Sequence, residues 1–380
     1  MSGALDGLKI ADFSWVGAGP RATKDLADNG ALVVKIESAK RLDLGRMSPP
    51  FARGERKNHD ASAFFAQTNT SKKSVTINLS DPRGIEVAKK LVAWADVVVE
   101  NFGPGFMDRI GLSWEVLQEV KPDIILASVS VAGKTGPMAG FRGYGNAAAA
   151  MSGHADMTGW PGSEPHMPPL AYGDVVAPMM LTVAILSALE HRDRTGKGCH
   201  VDVSQIEAMV HVAGDLFAEM PADKPANHDP LIAPHGVFPV AGEDAWIAIA
   251  CEARGSAEAL ASELGLDEIS DEAIAAATRL RDGEDLAQAL CDAGVAAAMV
   301  LDGKGVSESA DLEAASHFVI VDHPVLGRAH MPAPPYQLPL TPWHVGPAPC
   351  LGEHNREIFV DTLGMAAEDL AALQEEGVLA

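Results

Sequence analysis

Short β-branched runs alternate with stretches of helical spacing through the first 130 residues, and this rhythm constrains the fold more than any other feature of the chain. Leu8 to Phe13, Ala31 to Ile36, Asp96 to Glu100 and Asp123 to Val129 read as strands, while Pro20 to Asn29, Arg83 to Ala95 and Pro104 to Ile110 read as helices. Strands separated by helices are joined by crossovers, which make neighbours parallel and cover both faces of the sheet. The expected fold class is therefore α/β, with a doubly wound, largely parallel, Rossmann-like sheet. Val201 to Val203 reads as a further strand, opening into a helix from Ser204 to Ala218.

At 380 residues the chain exceeds the usual size of a single core, so two domains are expected. A stretch rich in Pro, Ala and Asp from Pro221 to Pro234 reads as a linker. Beyond it, Gly236 to Cys251 reads as hairpin strands, Gly255 to Ala293 as Ala-rich acidic helices, and Val295 to Val300 as one more strand. Met331 to Leu351 is Pro-rich and extended, followed by helices from Asn355 to Leu363 and Ala366 to Glu376.

The net charge of −23 disfavours nucleic acid or an anionic membrane as partner. Its distribution is uneven: residues 1–150 hold 19 basic against 16 acidic side chains, and residues 151–380 hold 10 against 36. An anionic ligand bound by the first part would account for this asymmetry, as would ordinary surface variation. The N-terminus lacks the basic and apolar regions of a signal peptide. The four cysteines lie far apart with no C-x-x-C pair, which fits reduced, buried thiols in a cytoplasmic protein and no metal site.

Asp174 stands directly before Val175 to Leu189, a run without charge that is too short to span a bilayer and reads as a buried helix. This placement predicts a helix N-cap, with Pro178 inside the first turn where a missing N–H costs little. Backbone N–H groups and the helix dipole would keep the carboxyl ionised and its pKa low. A carboxylate held in apolar surroundings can attack an activated carbonyl; the same residues also describe an ordinary structural cap.

Gly17-Ala-Gly19-Pro-Arg-Ala22 follows a strand, opens a helix and is trailed by Glu37, which satisfies the dinucleotide-binding pattern. An NAD-dependent oxidoreductase is one reading, although any ADP-containing ligand can use such a turn. Asn69 to Lys73, Asn101 to Gly105 and Gly133 to Gly136 are anion-compatible loops expected at the carboxyl ends of strands, where α/β sheets bind ligands.

Several ordered segments together resemble the family III CoA-transferases, the group containing formyl-CoA and L-carnitine CoA-transferases. They include Asp12 to Pro20, Leu26 to Ala31 with Val34 to Glu37, Ser71 to Ser74, Val99 to Gly105 with Arg109, Thr158 to Pro161, Gly173-Asp174, Arg194 to Gly198 with Val201 to Ser204, and Ala348 to His354. The resemblance implies that Asp174 is the nucleophile. It places Val16, Gly17, Ala18, Lys72, Asn101, Phe102, Gly103, Arg109, Arg142 and Tyr144 where the family contacts CoA or flanks its thioester. It also implies an interlocked homodimer whose large CoA-binding domain is made from both chain ends, 1–220 and 321–380, with a smaller α+β domain over 221–320.

CoA thioesters would be substrates, with no permanently bound cofactor. Oxyanion donors are expected from Gly17 to Gly19. The related α-methylacyl-CoA racemases carry Gly-His-Asp where this chain has Gly143-Tyr-Gly145-Asn146, which favours a transferase over a racemase or isomerase and leaves His154 as a residual base. No counterpart of the formyl-CoA branch's glycine-rich loop is found near Ile232 to Gly236, which disfavours oxalate and formate. Thr158 to Pro161, Tyr172 to Pro178 and Ile232 to Phe238 look closest to the branch acting on aryl-substituted acids such as benzylsuccinate. The implied pair is a succinyl-CoA-like donor and an apolar acceptor acid, with His235 beside the acceptor or packed in a turn.

Overall fold

The computed structural model describes residues 3–159, 162–214, 229 and 231–380. Six strands form one parallel sheet: β1 (Lys9–Asp12), β2 (Leu32–Glu37), β3 (Lys73–Thr76), β4 (Val97–Glu100), β5 (Ile125–Ser130) and β6 (His200–Ser204). Their spatial order is β3-β2-β1-β4-β5-β6, with every neighbouring pair parallel. The chain thus winds outward one way from β1 and then the other way from β4. The crevice beyond the carboxyl ends of β1 and β4 is the topological switch point, where sheets of this kind bind ligands.

Alternation along each strand divides the core between the two faces of the sheet. Ile10, Val33, Val97, Val99, Ile125 and Ala127 pack with the Ala18–Asp28 and Gly173–Thr195 helices, whereas Ala11, Val34, Val98 and Leu126 pack with the Pro82–Trp94 helix. The C-terminal segment joins the second face. Ile358, Phe359, Leu370, Val378 and Leu379 are buried there, Asn78 donates its N–H to the Val378 carbonyl at 2.8 Å, and the Asn355 side chain accepts from the Thr76 N–H at 2.8 Å.

The described residues fall into two compact units. One lies within Met1–Thr158, Pro165–Ala218 and Ser316–Ala380, and the other within Gly159–Glu164 and Glu219–Ala315. In the second, β7 (His235–Pro239), β8 (Trp246–Ala250) and β9 (Ala296–Met299) form an antiparallel sheet in the order β7-β8-β9, packed on three helices around Phe238, Ile247, Leu260 and Leu286. His235 therefore begins a strand rather than sitting in a turn. Most of the expected linker, and the end of the helix expected to reach Ala218, lie outside the described residues.

Several expectations are corrected. Lys73–Thr76 is the edge strand β3, parallel to β2, so the Asn69 to Lys73 loop precedes a strand and lies at its amino end, not at a carboxyl end. The stretch expected to be extended from Met331 begins inside a strand, β11 (Gly327–Pro332), which pairs antiparallel with β10 (Phe318–His323). The Gly173–Thr195 helix is longer than the uncharged run, and by length and composition it matches a bilayer-crossing helix. It buries Val176, Ala177, Leu181, Ile185 and Ala188 in the core while leaving Met179, Val183 and Leu186 exposed, so only one face is buried. Cys251 is buried, whereas Cys291 is exposed.

Candidate active site

The loop after β1 is the tightest part of the site, and a set of buried charges fixes it. Asp12 accepts from the Ser14 N–H, the Thr23 hydroxyl and the Lys72 ammonium at 2.9, 2.6 and 3.0 Å. Lys35 pairs with Asp43 at 3.0 Å and donates to the Ser14 carbonyl at 2.7 Å. Asp43 in turn accepts from the Val16 N–H at 2.9 Å, holding this β-branched residue at φ 64°, a left-handed conformation that costs energy outside glycine. Asn101, at the end of β4, accepts from the Trp15 N–H and donates to the Trp15 carbonyl, both at 2.7 Å. The β1 and β4 loops are thereby tied together across the switch point.

Asp174 faces this loop. The Gly173–Thr195 helix starts one residue before it, with Tyr172 at the cap, so Asp174 lies within the first turn and is not the N-cap. Pro178 correspondingly sits deeper than expected, at a position whose N–H would bond the Asp174 carbonyl in a regular helix. Two glycines, Gly17 and Gly145, make room for Asp174, and a third, Gly173, lets its helix approach Ala148. A Cβ on Gly17 would lie 3.2 Å from Asp174 Cγ, one on Gly145 would lie 2.5 Å from Asp174 N, and one on Gly173 would lie 2.9 Å from the Ala148 Cβ.

Two hydrogen bonds hold the carboxylate. The Gln205 side-chain amide donates to Oδ1 at 2.9 Å and the Gly145 N–H donates to Oδ2 at 3.3 Å. Among the described residues no lysine or arginine pairs with it. Burial consequently pushes its carboxyl above the ordinary aspartate range, against the opposing pull of the Gly145 N–H, the Gln205 amide and the Arg21 charge. The low pKa expected from a capping role is thus corrected: desolvation outweighs the donors. Gly145 supplies the backbone donor that reaches the carboxylate.

Asp174 and Gln205 line a cavity of about 490 Å³ together with Val16, Gly17, Ala18, Asn101, Phe102, Gly103, Arg142 and Tyr144. An adjoining cavity of about 830 Å³ shares Trp15, Arg41, Phe102, Gly103 and Arg142, and is lined further by Arg109 and Lys40. Four cationic side chains therefore border the two cavities, Arg41 and Arg142 that of Asp174 and Lys40 and Arg109 the adjoining one, which gives part of the basic bias of the first 150 residues a location. Arg41 stacks over Trp15 at 5.4 Å and Arg109 over Phe106 at 5.8 Å.

Lys72 lines neither of these cavities. Its ammonium is buried against Asp12, the Asn69 side chain and the Pro20 carbonyl, and burial pushes its pKa down to about 8 despite Asp12. Lys72, expected to contact ligand, thus holds the β1 loop through Asp12 and borders a separate cavity of about 490 Å³ with Ser71 and Lys73. Glu37, the acid of the dinucleotide pattern, is also committed: Arg46 holds both its oxygens at 2.7 Å and the Ser74 hydroxyl donates at 2.7 Å. It is thus unsuited to binding a ribose hydroxyl. His154 contacts Ser152 at 3.0 Å and packs edge-on to Tyr172, outside both cavities. Gln205 was missed by sequence reading, because a glutamine opening a helix carries no local signal of a contact made 31 residues away.

Comparison with known proteins gives one family. The model of CoA-transferase family III matches residues 5–355. The chain is 30% identical to the succinyl-CoA–D-citramalate CoA-transferase of Chloroflexus aurantiacus, over 99% of this chain and 98% of that protein. It is 30% identical to the succinyl-CoA:glutarate CoA-transferase of Mus musculus, over 94% and 86%. A crystal structure of a CaiB/BaiF family protein from Brucella suis superposes with a TM-score of 0.85 at 30% identity, covering 95% of this chain and all of the other.

Proposed function

The chain belongs to CoA-transferase family III and is a CoA-transferase, and from that premise we propose that Asp174 carries CoA between two carboxylic acids through a covalent aspartyl intermediate. A carboxylate oxygen of Asp174 attacks the donor thioester and expels CoA thiolate, leaving a mixed anhydride. The thiolate then adds to the Asp174 carbonyl of that anhydride, releasing the donor acid and forming aspartyl-CoA. The acceptor carboxylate attacks this thioester, giving a second anhydride and thiolate. Attack of the thiolate on the acceptor's carbonyl forms the new acyl-CoA and frees Asp174. Each step exchanges one activated carboxyl derivative for another, so no nucleotide is consumed.

The observation that carries this reading is the Asp174 carboxylate itself: partly desolvated, without a cationic partner among the described residues, and opening onto a cavity bordered by arginines. A structural carboxylate would be paired; a nucleophile gains from weak solvation. Arg41, Arg109, Arg142 and Lys40 suit the phosphates of CoA. A succinyl-CoA-like donor is supported by the relatives' names. Trp15, Phe102, Phe141 and Tyr144 around the Asp174 cavity support an apolar, aryl-substituted acceptor such as a benzylsuccinate-type acid. The proposal includes a cytoplasmic homodimer, for which the exposed Met179, Val183 and Leu186 side chains offer an apolar surface.

Mass-spectrometric analysis of acyl-CoA products from succinyl-CoA and a panel of aryl, aliphatic and dicarboxylic acids tests the reading. New thioesters of apolar acids are expected. Exclusive transfer to dicarboxylates would overturn the acceptor assignment, and deuterium wash-in at the α-carbon without transfer would replace the transferase with a racemase.

A further inference from the structure

Gln205 opens the Gln205–Val212 helix behind the Ser204 cap and is only 4% exposed. A carboxylate offers acceptors alone, so the amide nitrogen must face Asp174 Oδ1 and the carbonyl Oε1 must point the other way. That Oε1 is buried with no hydrogen-bond partner among the described residues. A glutamine half-unpaired in the interior is a poor packing residue, and methionine would fill the same volume without the unpaired acceptor. The side chain's burial therefore serves its other end, where the bond to Asp174 is made.

Building on the aspartyl mechanism proposed above, we infer that Gln205 is a catalytic residue that keeps Asp174 Oδ1 hydrogen-bonded throughout the cycle and leaves Oδ2 to form and break the acyl bonds. The geometry separates the two oxygens: Gln205 holds Oδ1 at 2.9 Å, while Gly145 holds Oδ2 at 3.3 Å, a length that is easily surrendered. Once Oδ2 is acylated, Oδ1 is the carbonyl oxygen of the anhydride and later of the aspartyl thioester. When thiolate or acceptor carboxylate adds to Cγ, the carbonyl π pair moves onto Oδ1. The resulting oxyanion lies directly against the Gln205 N–H. Collapse returns the pair to the carbonyl and expels the donor carboxylate, or the thiolate in the later step. One donor thus orients the nucleophile before attack and stabilises it as an electrophile afterwards.

Gln205→Met tests this. The expected result is a 10²- to 10³-fold fall in kcat, the scale of losing one oxyanion donor, with KM for the acyl-CoA changed less than about threefold. The acidic limb of the rate profile should move to higher pH, because a donor that favours ionised Asp174 is gone. Thermal stability should be retained or raised, since an unpaired buried acceptor is removed, and a purely structural glutamine would show the reverse pattern. If this variant does not fold, Gln205→Asn keeps a buried amide while withdrawing its N–H by one methylene, and the same loss in kcat is expected. Turnover at the wild-type rate with an unmoved acidic limb in either folded variant overturns the inference. Quenched-flow detection of aspartyl-CoA separates it from the mechanism beneath it. An adduct that forms in the wild type and equally fast in Gln205→Met sinks the role of Gln205 alone, whereas no adduct on wild-type Asp174 sinks the mechanism itself.

Discussion

Glu37 and Asp174 are both carboxylates withdrawn from water in the same α/β unit, yet their surroundings oppose one another. Burial alone would raise Glu37, but the bidentate Arg46, with Lys35 and the Ser74 hydroxyl, holds its carboxyl below the ordinary glutamate range. Asp174 receives two neutral donors and a distant Arg21, and burial prevails in the opposite direction. The first arrangement fixes structure: Arg46 also pairs with Asp60 at 2.6 Å and lies over the Phe65 ring at 3.7 Å, binding three segments of chain. The second leaves a carboxylate whose charge is poorly satisfied, as the proposed role of nucleophile requires. A buried acid is read as structural or chemical by what neutralises it.

Replacing each acid by its amide should divide the two sharply. Asp174→Asn is expected to lower turnover by roughly 10⁴-fold or more, the scale of removing a covalent nucleophile, while CoA affinity is largely kept. Its thermal stability should equal or exceed that of the wild type at neutral pH. The sign follows from linkage: a raised folded pKa means that ionised Asp174 opposes folding, and this cost grows as pH rises through that value. A clearly destabilised Asp174→Asn would show the carboxylate to be structural after all.

Glu37→Gln should do the opposite. Leaving Arg46 buried without its partner is expected to cost about 3–5 kcal/mol, measurable by denaturant unfolding, with kcat of the folded fraction within a few-fold of wild type. Because Glu37 is held low, its stabilisation is present above the ordinary glutamate pKa and is lost as pH falls through the lower folded value. The stability difference between wild type and Glu37→Gln should therefore shrink in acid.

Gly145→Ala probes the weaker of the two donors to Asp174. Its Cβ would meet the Asp174 backbone N at 2.5 Å, so one of the two segments must move and the Gly145 N–H must shift from Oδ2. A fall in kcat of about tenfold to a hundredfold is expected, with overpacking costing about 1–3 kcal/mol. Unchanged kinetics would mean that the glycine cradle is incidental. The smallest effect is expected for wild-type enzyme in acid. Its kcat/KM should begin to fall at a higher pH than an exposed aspartate would give, because activity is lost as Asp174 takes up its proton.

The sheet was legible in the sequence where strands are continuous apolar runs. Ile10, Val33, Val98 and Ile125 lie in such runs because both faces of a parallel sheet are covered. Lys73–Thr76 escaped because Lys, Ser and Thr make it look like a loop, and its buried residues are held by hydrogen bonds to Glu37 and to C-terminal residues far away in sequence. That error misplaced the Asn69 to Lys73 loop: a loop that precedes a parallel strand lies at the opposite edge from loops that follow one. The site was legible where glycines and asparagine mark close backbone approach, as at Gly17 and Asn101. It was illegible where a side chain's task is set across the fold. Glu37 reads as the acid of a dinucleotide pattern while its partner Arg46 carries no signal, Gln205 looks like an ordinary first helical residue, and Asp174 itself moved from cap to first turn once the helix was seen to start at Gly173.

The central claim rests on one covalent bond. Enzyme mixed with succinyl-CoA, quenched within a turnover and digested should yield the peptide containing Asp174 heavier by the mass of CoA less one water, and addition of acceptor acid or hydroxylamine should remove the CoA. Transfer that proceeds with that peptide unmodified at every time point, or with the label on another side chain, would contradict the account.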